Sequence, residues 1–133
     1  MIQGSVLGPI LFSIFVNDID EHITDSVILK YADDLRIYRI FKSALPNQLN
    51  NGIHFQNDIN ALVTWSKTWD LNFNTIKWYI LHYGRQNIKN TYKIGDAAIV
   101  SRTHERDLGV LFSNKLSFNE LRDSIIKKAN QKL

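Results

Sequence analysis

The stretch Val27-Ile28-Leu29-Lys30-Tyr31-Ala32-Asp33-Asp34-Leu35-Arg36-Ile37-Tyr38 constrains this chain most. Two short runs rich in β-branched and aromatic residues flank adjacent aspartates, which predicts a β-hairpin with Asp33-Asp34 at its tip. A tight turn chosen for folding alone favours Asn-Gly or Asp-Gly, because those residues accept positive φ cheaply. Neighbouring carboxylates repel each other, so this tip carries a penalty that folding does not ask for. Two readings follow. Either both aspartates are solvated turn residues, or rigid strands hold them as oxygen ligands for a hard divalent cation such as Mg²⁺.

Size and composition narrow the rest. With 133 residues, 44% of them hydrophobic, the chain can bury one core and forms one domain or part of one. It has no apolar run of about eighteen residues, so no membrane span is expected. The start, Met1-Ile2-Gln3-Gly4-Ser5, has neither a basic segment nor a small-residue cleavage site, and no signal peptide is expected. Cysteine is absent, which excludes disulfides and thiolate metal sites and fits a reducing, intracellular setting. The net charge of +3 suits an anionic partner. From Lys115 to Leu133, five basic residues (Lys115, Arg122, Lys127, Lys128, Lys132) meet two acidic ones, an excess equal to the whole chain's net charge. Such a tail suits phosphate contact, or is simply a solvated face.

In chain order, Gln3 to Pro9 is a glycine-containing loop that feeds a helix, with Pro9 placed where a first turn tolerates it. Apolar residues recur at helical spacing from Ile10 to Ile23, and Ile10 and Ile14 widen the stripe, so deep burial of the first half is expected. Asn17, Asp18, Asp20 and Glu21 are expected to make the far end a solvated face. Pro46 offers the start of a second helix marked by Leu49, Ile53, Ile59, Leu62, Val63 and Trp69, about five or six turns long and weakened at Gly52. Ile76 to Tyr83 reads as a strand, Gly84 to Asn90 as a loop, and Tyr92 to Val100 as a hairpin turning at Gly95-Asp96. Leu108 to Phe112 reads as a strand with one glycine, a mark of close backbone approach. Ser117 and Glu120 form a capping box for a last helix, with Leu116 and Leu121 as a hydrophobic staple. The order of elements gives an α+β class with an antiparallel sheet.

Read together, Gln3-Gly4-Ser5-Val6-Leu7-Gly8-Pro9-Ile10-Leu11-Phe12 and Tyr31-Ala32-Asp33-Asp34 resemble the reverse transcriptases of non-LTR (LINE-type) retrotransposons, especially the jockey-like group. The resemblance continues through Trp65 to Trp69, Leu71-Asn72-Phe73-Asn74 with Lys77, and Asp107-Leu108-Gly109-Val110, so it covers nearly the whole chain in order. It implies a partial polymerase palm, with antiparallel hairpins packed on two helices over residues 1–106. A primer-grip strand and the start of a helical thumb would follow over 107–133. The implied activity is RNA-directed DNA polymerisation, with an RNA template, a DNA primer, dNTPs and two Mg²⁺ ions in the complete enzyme, at an intracellular location in nucleus or cytoplasm.

The resemblance also assigns roles. Asp33 and Asp34 would be the catalytic, metal-holding pair. Tyr31 and Ala32 would lie beside the nucleotide or primer terminus. Gln3, Gly4 and Ser5 would pack near the incoming nucleotide and template, and Lys77 would donate a proton as pyrophosphate departs. Leu108, Gly109 and Val110 would grip the primer. Each has a plainer alternative: Tyr31 as a strand aromatic, Lys77 as a solvated lysine. Trp65, Trp69 and Phe73 read as core packing rather than base stacking. His22, His54, His82 and His104 show no metal-ligand spacing. Two positions depart from the family pattern: Ile2 stands where it has proline, and Trp78 where it often has cysteine. The family's first catalytic aspartate and its fingers lie upstream of Gln3-Gly4. The expectation is therefore the C-terminal half of a palm, inactive alone, with a retrotransposon relic or a non-catalytic nucleic-acid-binding module as the alternatives.

Overall fold

The computed structural model describes residues 7–41, 45–84, 87–107, 110–115, 117 and 119–131. The chain divides into two compact units, residues 1–74 and 75–133. The mixture of helices and small sheets is α+β.

In the first unit, helix α1 (Leu7–Phe15) carries Pro9 in its opening turn. The chain then tightens into a 3-10 helix, Asn17–His22, instead of running on as one helix to Ile23. Asn17, Asp18 and Asp20 explain the break, because short polar side chains compete with the helical backbone. The change of pitch turns Val16 and Ile19 inward, to 9% and 1% exposure. The expected deep burial of α1 does not occur: Leu7, Ile10, Leu11 and Ile14 are all more than half exposed. Its C-terminal end meets the core through Phe15, against Trp65 and Trp69.

Helix α2 (Leu45–Thr68) has Pro46 as its second residue and contains Gly52 without interruption. Its buried side is Gly52, Phe55, Asp58, Ile59, Leu62, Trp65 and Ser66, spaced three and four residues apart. Ile53, expected on that stripe, lies off it and is exposed, and Phe55 takes its place. Each fully buried apolar side chain here contributes about 1.5–3 kcal/mol. Trp65 is the centre. Its ring stacks on Phe73 at 6.3 Å, and its indole N–H donates to Asp18 Oδ1 at 3.1 Å. Asp18 is thus a core partner, while the neighbouring Glu21 remains exposed. The helix ends where the Leu71 N–H reaches the Ser66 carbonyl at 2.8 Å, with Asp70 left-handed at φ 52° in the place glycine usually takes.

Strands β1 (Val27–Tyr31) and β2 (Asp34–Tyr38) form the expected antiparallel hairpin, in register from Val27↔Tyr38 to Tyr31↔Asp34. The turn is Ala32-Asp33, so Asp34 opens β2 instead of sharing the tip.

The second unit begins with a 3-10 helix, Thr75–Lys77, and a short strand β3 (Tyr79–Leu81), where a longer strand was expected. β3 pairs in parallel with β6 (Val100–Arg102), which corrects the expectation of a wholly antiparallel sheet. A parallel pair needs a long connection, and residues 82–99 supply it. Within that connection β4 (Lys93–Ile94) and β5 (Ala97–Ala98) form the expected hairpin at Gly95-Asp96, with Gly95 at φ 58°. β7 (His104–Asp107) and β8 (Val110–Ser113) make an antiparallel pair. Helix α3 (Asn119–Asn130) follows. Its cap is as expected at Ser117, whose Oγ accepts the Asn119 N–H at 3.4 Å. Leu116 and the Glu120 side chain, the other parts of that start signal, lie outside what is described. Tyr92, Ile99 and His82 form the buried centre, the His82 and Tyr92 rings stacked at 6.3 Å.

Candidate functional site

The β1–β2 hairpin is built by alternation. Ile28 and Lys30, opposite Ile37 and Leu35, are half-buried, whereas Val27, Leu29 and Tyr31 are exposed on the other face. Tyr31 closes the ladder against Asp34, and the chain reverses through Ala32, left-handed at φ 51°. This places Tyr31, Ala32, Asp33 and Asp34 together at one end of the ribbon, all of them exposed.

The root of the ribbon is fastened to α2. Asp58, 2% exposed, accepts the Thr24 N–H at 3.2 Å, the Thr24 hydroxyl at 3.4 Å and the Ser26 hydroxyl at 2.5 Å. A buried carboxylate is tolerated because its oxygens are satisfied in this way. After β2, Arg39 donates to Asn51 Oδ1 at 3.0 Å, and its other terminal nitrogen lies 3.4 Å from the Asp25 carboxylate. His54 Nδ1 meets the same carboxylate at 2.8 Å. Both strands are therefore tied to one helix.

Asp34 lies 3.8 Å from the Arg36 guanidinium across an exposed surface, a contact weakened by solvent. Two hard-oxygen carboxylates at one end of a fastened hairpin suit a divalent cation as part of a donor set. Among the described residues no group of three or more His, Asp or Glu side chains could hold a metal ion. The hairpin thus offers a pair, and a complete shell needs oxygens from elsewhere.

The remaining candidates are distributed. Lys77 is the last residue of the 3-10 helix that opens the second unit, and it is exposed. Val110 begins β8 opposite Asp107, while Leu108 and Gly109 lie outside the described residues, as do Gln3, Gly4 and Ser5. On α3, Lys127 and Lys128 are exposed, and Arg122 pairs with its neighbour Asp123 at 3.1 Å. The aromatic reading divides: Trp65 is core, whereas Trp69 is 48% exposed at its edge. His82 is buried in the second unit. Burial lowers its pKa below the usual 6.5, a hydrogen bond with the Asn87 side chain opposes that, and the Lys89 charge adds to it. Among the described residues no helix is long and apolar enough to cross a membrane.

Lys30 and Asp58 join the hairpin to its neighbours, and the motif reading passed over both. Each carried a signal: Lys30 breaks the apolar alternation on the inner face of β1, and Asp58 interrupts the apolar stripe of α2.

The hairpin with its paired aspartates, the helix before it and the elements after it belong to a known class. The chain is a member of the reverse transcriptase (RNA-dependent DNA polymerase) family, whose sequence model matches residues 1–119. Its relatives are polymerases of mobile elements. Over 132 residues it is 30% identical to the RNA-directed DNA polymerase from mobile element jockey of Drosophila melanogaster, covering 88% of this chain and 13% of that protein. The jockey polymerase of Drosophila funebris is likewise 30% identical, over 131 residues, with 87% and 13% covered. A probable RNA-directed DNA polymerase from transposon BS of Drosophila melanogaster is 34% identical over 82 residues, 56% of this chain and 9% of that one. The chain thus spans 13% or less of the length of these relatives. No solved structure matches it.

Proposed function

We propose that these residues are the carboxylate-bearing part of the palm, with the beginning of the thumb, of an RNA-directed DNA polymerase from a jockey-like retrotransposon. The complete enzyme would copy an RNA template from a DNA primer with dNTPs. The observation that carries this reading is the fastened hairpin that displays Asp33 on its turn and Asp34 on its last rung, within a family match covering residues 1–119.

In this reading Asp33 and Asp34 would hold Mg²⁺. Held there, such ions would supply activation of the primer 3′-oxygen and neutralisation of charge on the triphosphate. Tyr31 and Ala32 border the nucleotide and primer terminus, with Gln3, Gly4 and Ser5 near template and nucleotide. Lys77 gives a proton to the departing pyrophosphate. Leu108, Gly109 and Val110 hold the primer strand, and the basic face of α3 follows its phosphates.

Residues 1–133 should not polymerise by themselves, because two-metal transfer needs carboxylates from both sides of the reacting phosphate and Asp33 and Asp34 supply one pair. Positioning by the rest of the enzyme supplies much of the rate in such transfers. A primer-extension assay on an RNA template should give no product from these residues alone. Joined to an upstream segment of a jockey-type polymerase, they should give product, and Asp33→Asn should abolish it. Extension by the isolated chain, or a fusion indifferent to Asp33→Asn, would overturn the proposal.

A further inference from the structure

The ammonium of Lys30 lies 2.9 Å from Asp20 Oδ2, 3.3 Å from the Val16 carbonyl and 3.4 Å from the Asn17 carbonyl. A lysine has three N–H donors, and three oxygens surround it here. Val16 directly follows α1 and Asn17 opens the 3-10 helix, so the ammonium sits at the junction of these two elements. Lys30 itself stands opposite Leu35, one rung from the Tyr31↔Asp34 pair that closes the hairpin. The root of the hairpin is tied to α2, and Lys30 is a second tether at the other end, reaching a different element. With the Lys30 side chain 24% exposed and that of Asp20 52% exposed, the ion pair is partly screened, so its consequence is geometric before it is energetic.

We infer that Lys30 is a positioning residue: it clamps the Asp33–Asp34 end of the hairpin to the start of the 3-10 helix that follows α1, so that the two carboxylates meet a divalent cation in one arrangement. This rests on the reading of Asp33 and Asp34 as metal-holding residues. Charge and clamp act in opposite directions. As a mere positive charge Lys30 repels a nearby cation, so its removal would tighten cation binding. As a clamp its removal loosens the pair and weakens binding.

The test uses the 133-residue chain with MnCl₂ alone as probe, and paramagnetic broadening of the hairpin amide signals as readout. Lys30→Met should weaken Mn²⁺ binding about fivefold, the scale of one exposed polar contact, and should speed amide exchange at Tyr31 and Asp34. Lys30→Arg, which keeps charge and several donors, should stay within about twofold of wild type. Lys30→Gln gives the same comparison where Lys30→Met does not fold, as judged by tryptophan fluorescence. Binding unchanged or tightened in the neutral variants, but lost in Asp33→Asn, overturns the clamp and leaves the aspartate pair standing. Mn²⁺ binding indifferent to Asp33→Asn overturns the pair and the role of Lys30 with it.

Discussion

Helices α1 and α2 lie in the same compact unit and meet opposite fates. α1 is almost wholly apolar in sequence, yet none of its residues is buried. α2 is studded with asparagine and glutamine, yet it supplies Phe55, Ile59, Leu62 and Trp65 to the core. Apolar content is therefore a poor guide to burial. Burial needs a partner surface at the right spacing, and α2 has one in the 3-10 helix, with Ile19, and in Phe15 and Phe73 around its tryptophan. The largest effect that could break this comparison is at its centre. Trp65→Ala should cost about 3–5 kcal/mol in denaturant unfolding, whereas Ile14→Ala on α1 should stay within about 0.5 kcal/mol. Equal losses at the two sites would show that α1 is covered after all.

A smaller effect separates apolar from polar fastening on α2. Asp58→Ala should cost about 2–3 kcal/mol, because it strands the Thr24 N–H and the Ser26 hydroxyl, while Asp58→Asn, which keeps an acceptor, should cost less. Urea midpoints that rank the two variants the other way would mean that the charge, not the hydrogen bonds, holds the hairpin root.

The gentlest effect is a slope with pH, and it belongs to the second unit. Burial lowers the pKa of His82 in the folded chain below its unfolded value of 6.5. The unfolded state then binds the proton more readily, so stability is full above about pH 6.5 and declines as pH falls through the folded value. Melting temperatures should drop on acidification, and His82→Gln should flatten that dependence. A wild-type melting temperature indifferent to acid over this range would place the imidazole in water.

What could be read from the sequence follows the range over which each feature is decided. The β1–β2 strands, the Gly95-Asp96 turn, the length of α2 and the Ser117 cap are local, set by alternation, turn chemistry or capping within a few residues. The parallel β3–β6 pair is not local, since Tyr79 and Val100 are joined across a hairpin that gives no hint of it. The choice of Phe55 over Ile53 depends on which side of α2 finds a partner. In the candidate site, Tyr31-Ala32-Asp33-Asp34 announced itself as a motif. The residues that hold it in place did not, because Asp58 meets Thr24 and Ser26, and Lys30 meets Val16 and Asp20, only after folding. The one-residue shift of the turn, from Asp33-Asp34 to Ala32-Asp33, was decided by the Tyr31↔Asp34 rung.

That shifted turn has a kinetic consequence. Hairpins commonly zip from a favourable turn outward, but Ala32 must adopt a left-handed backbone that costs an alanine about 1–2 kcal/mol. Such a turn makes a poor nucleus. The contacts with α2 lie at the opposite end, where Thr24, Ser26 and Arg39 reach that helix. The ribbon should therefore close from root to tip, after α2 has formed its core, with the aspartate end the last to arrive. In pulsed hydrogen exchange during refolding, Val27 and Tyr38 should gain protection before Tyr31 and Asp34. The reverse order would make the turn the nucleus. A segment that forms last on this route is also the first to open from the native state, which leaves the Lys30 contacts with Val16, Asn17 and Asp20 to hold the carboxylate end closed.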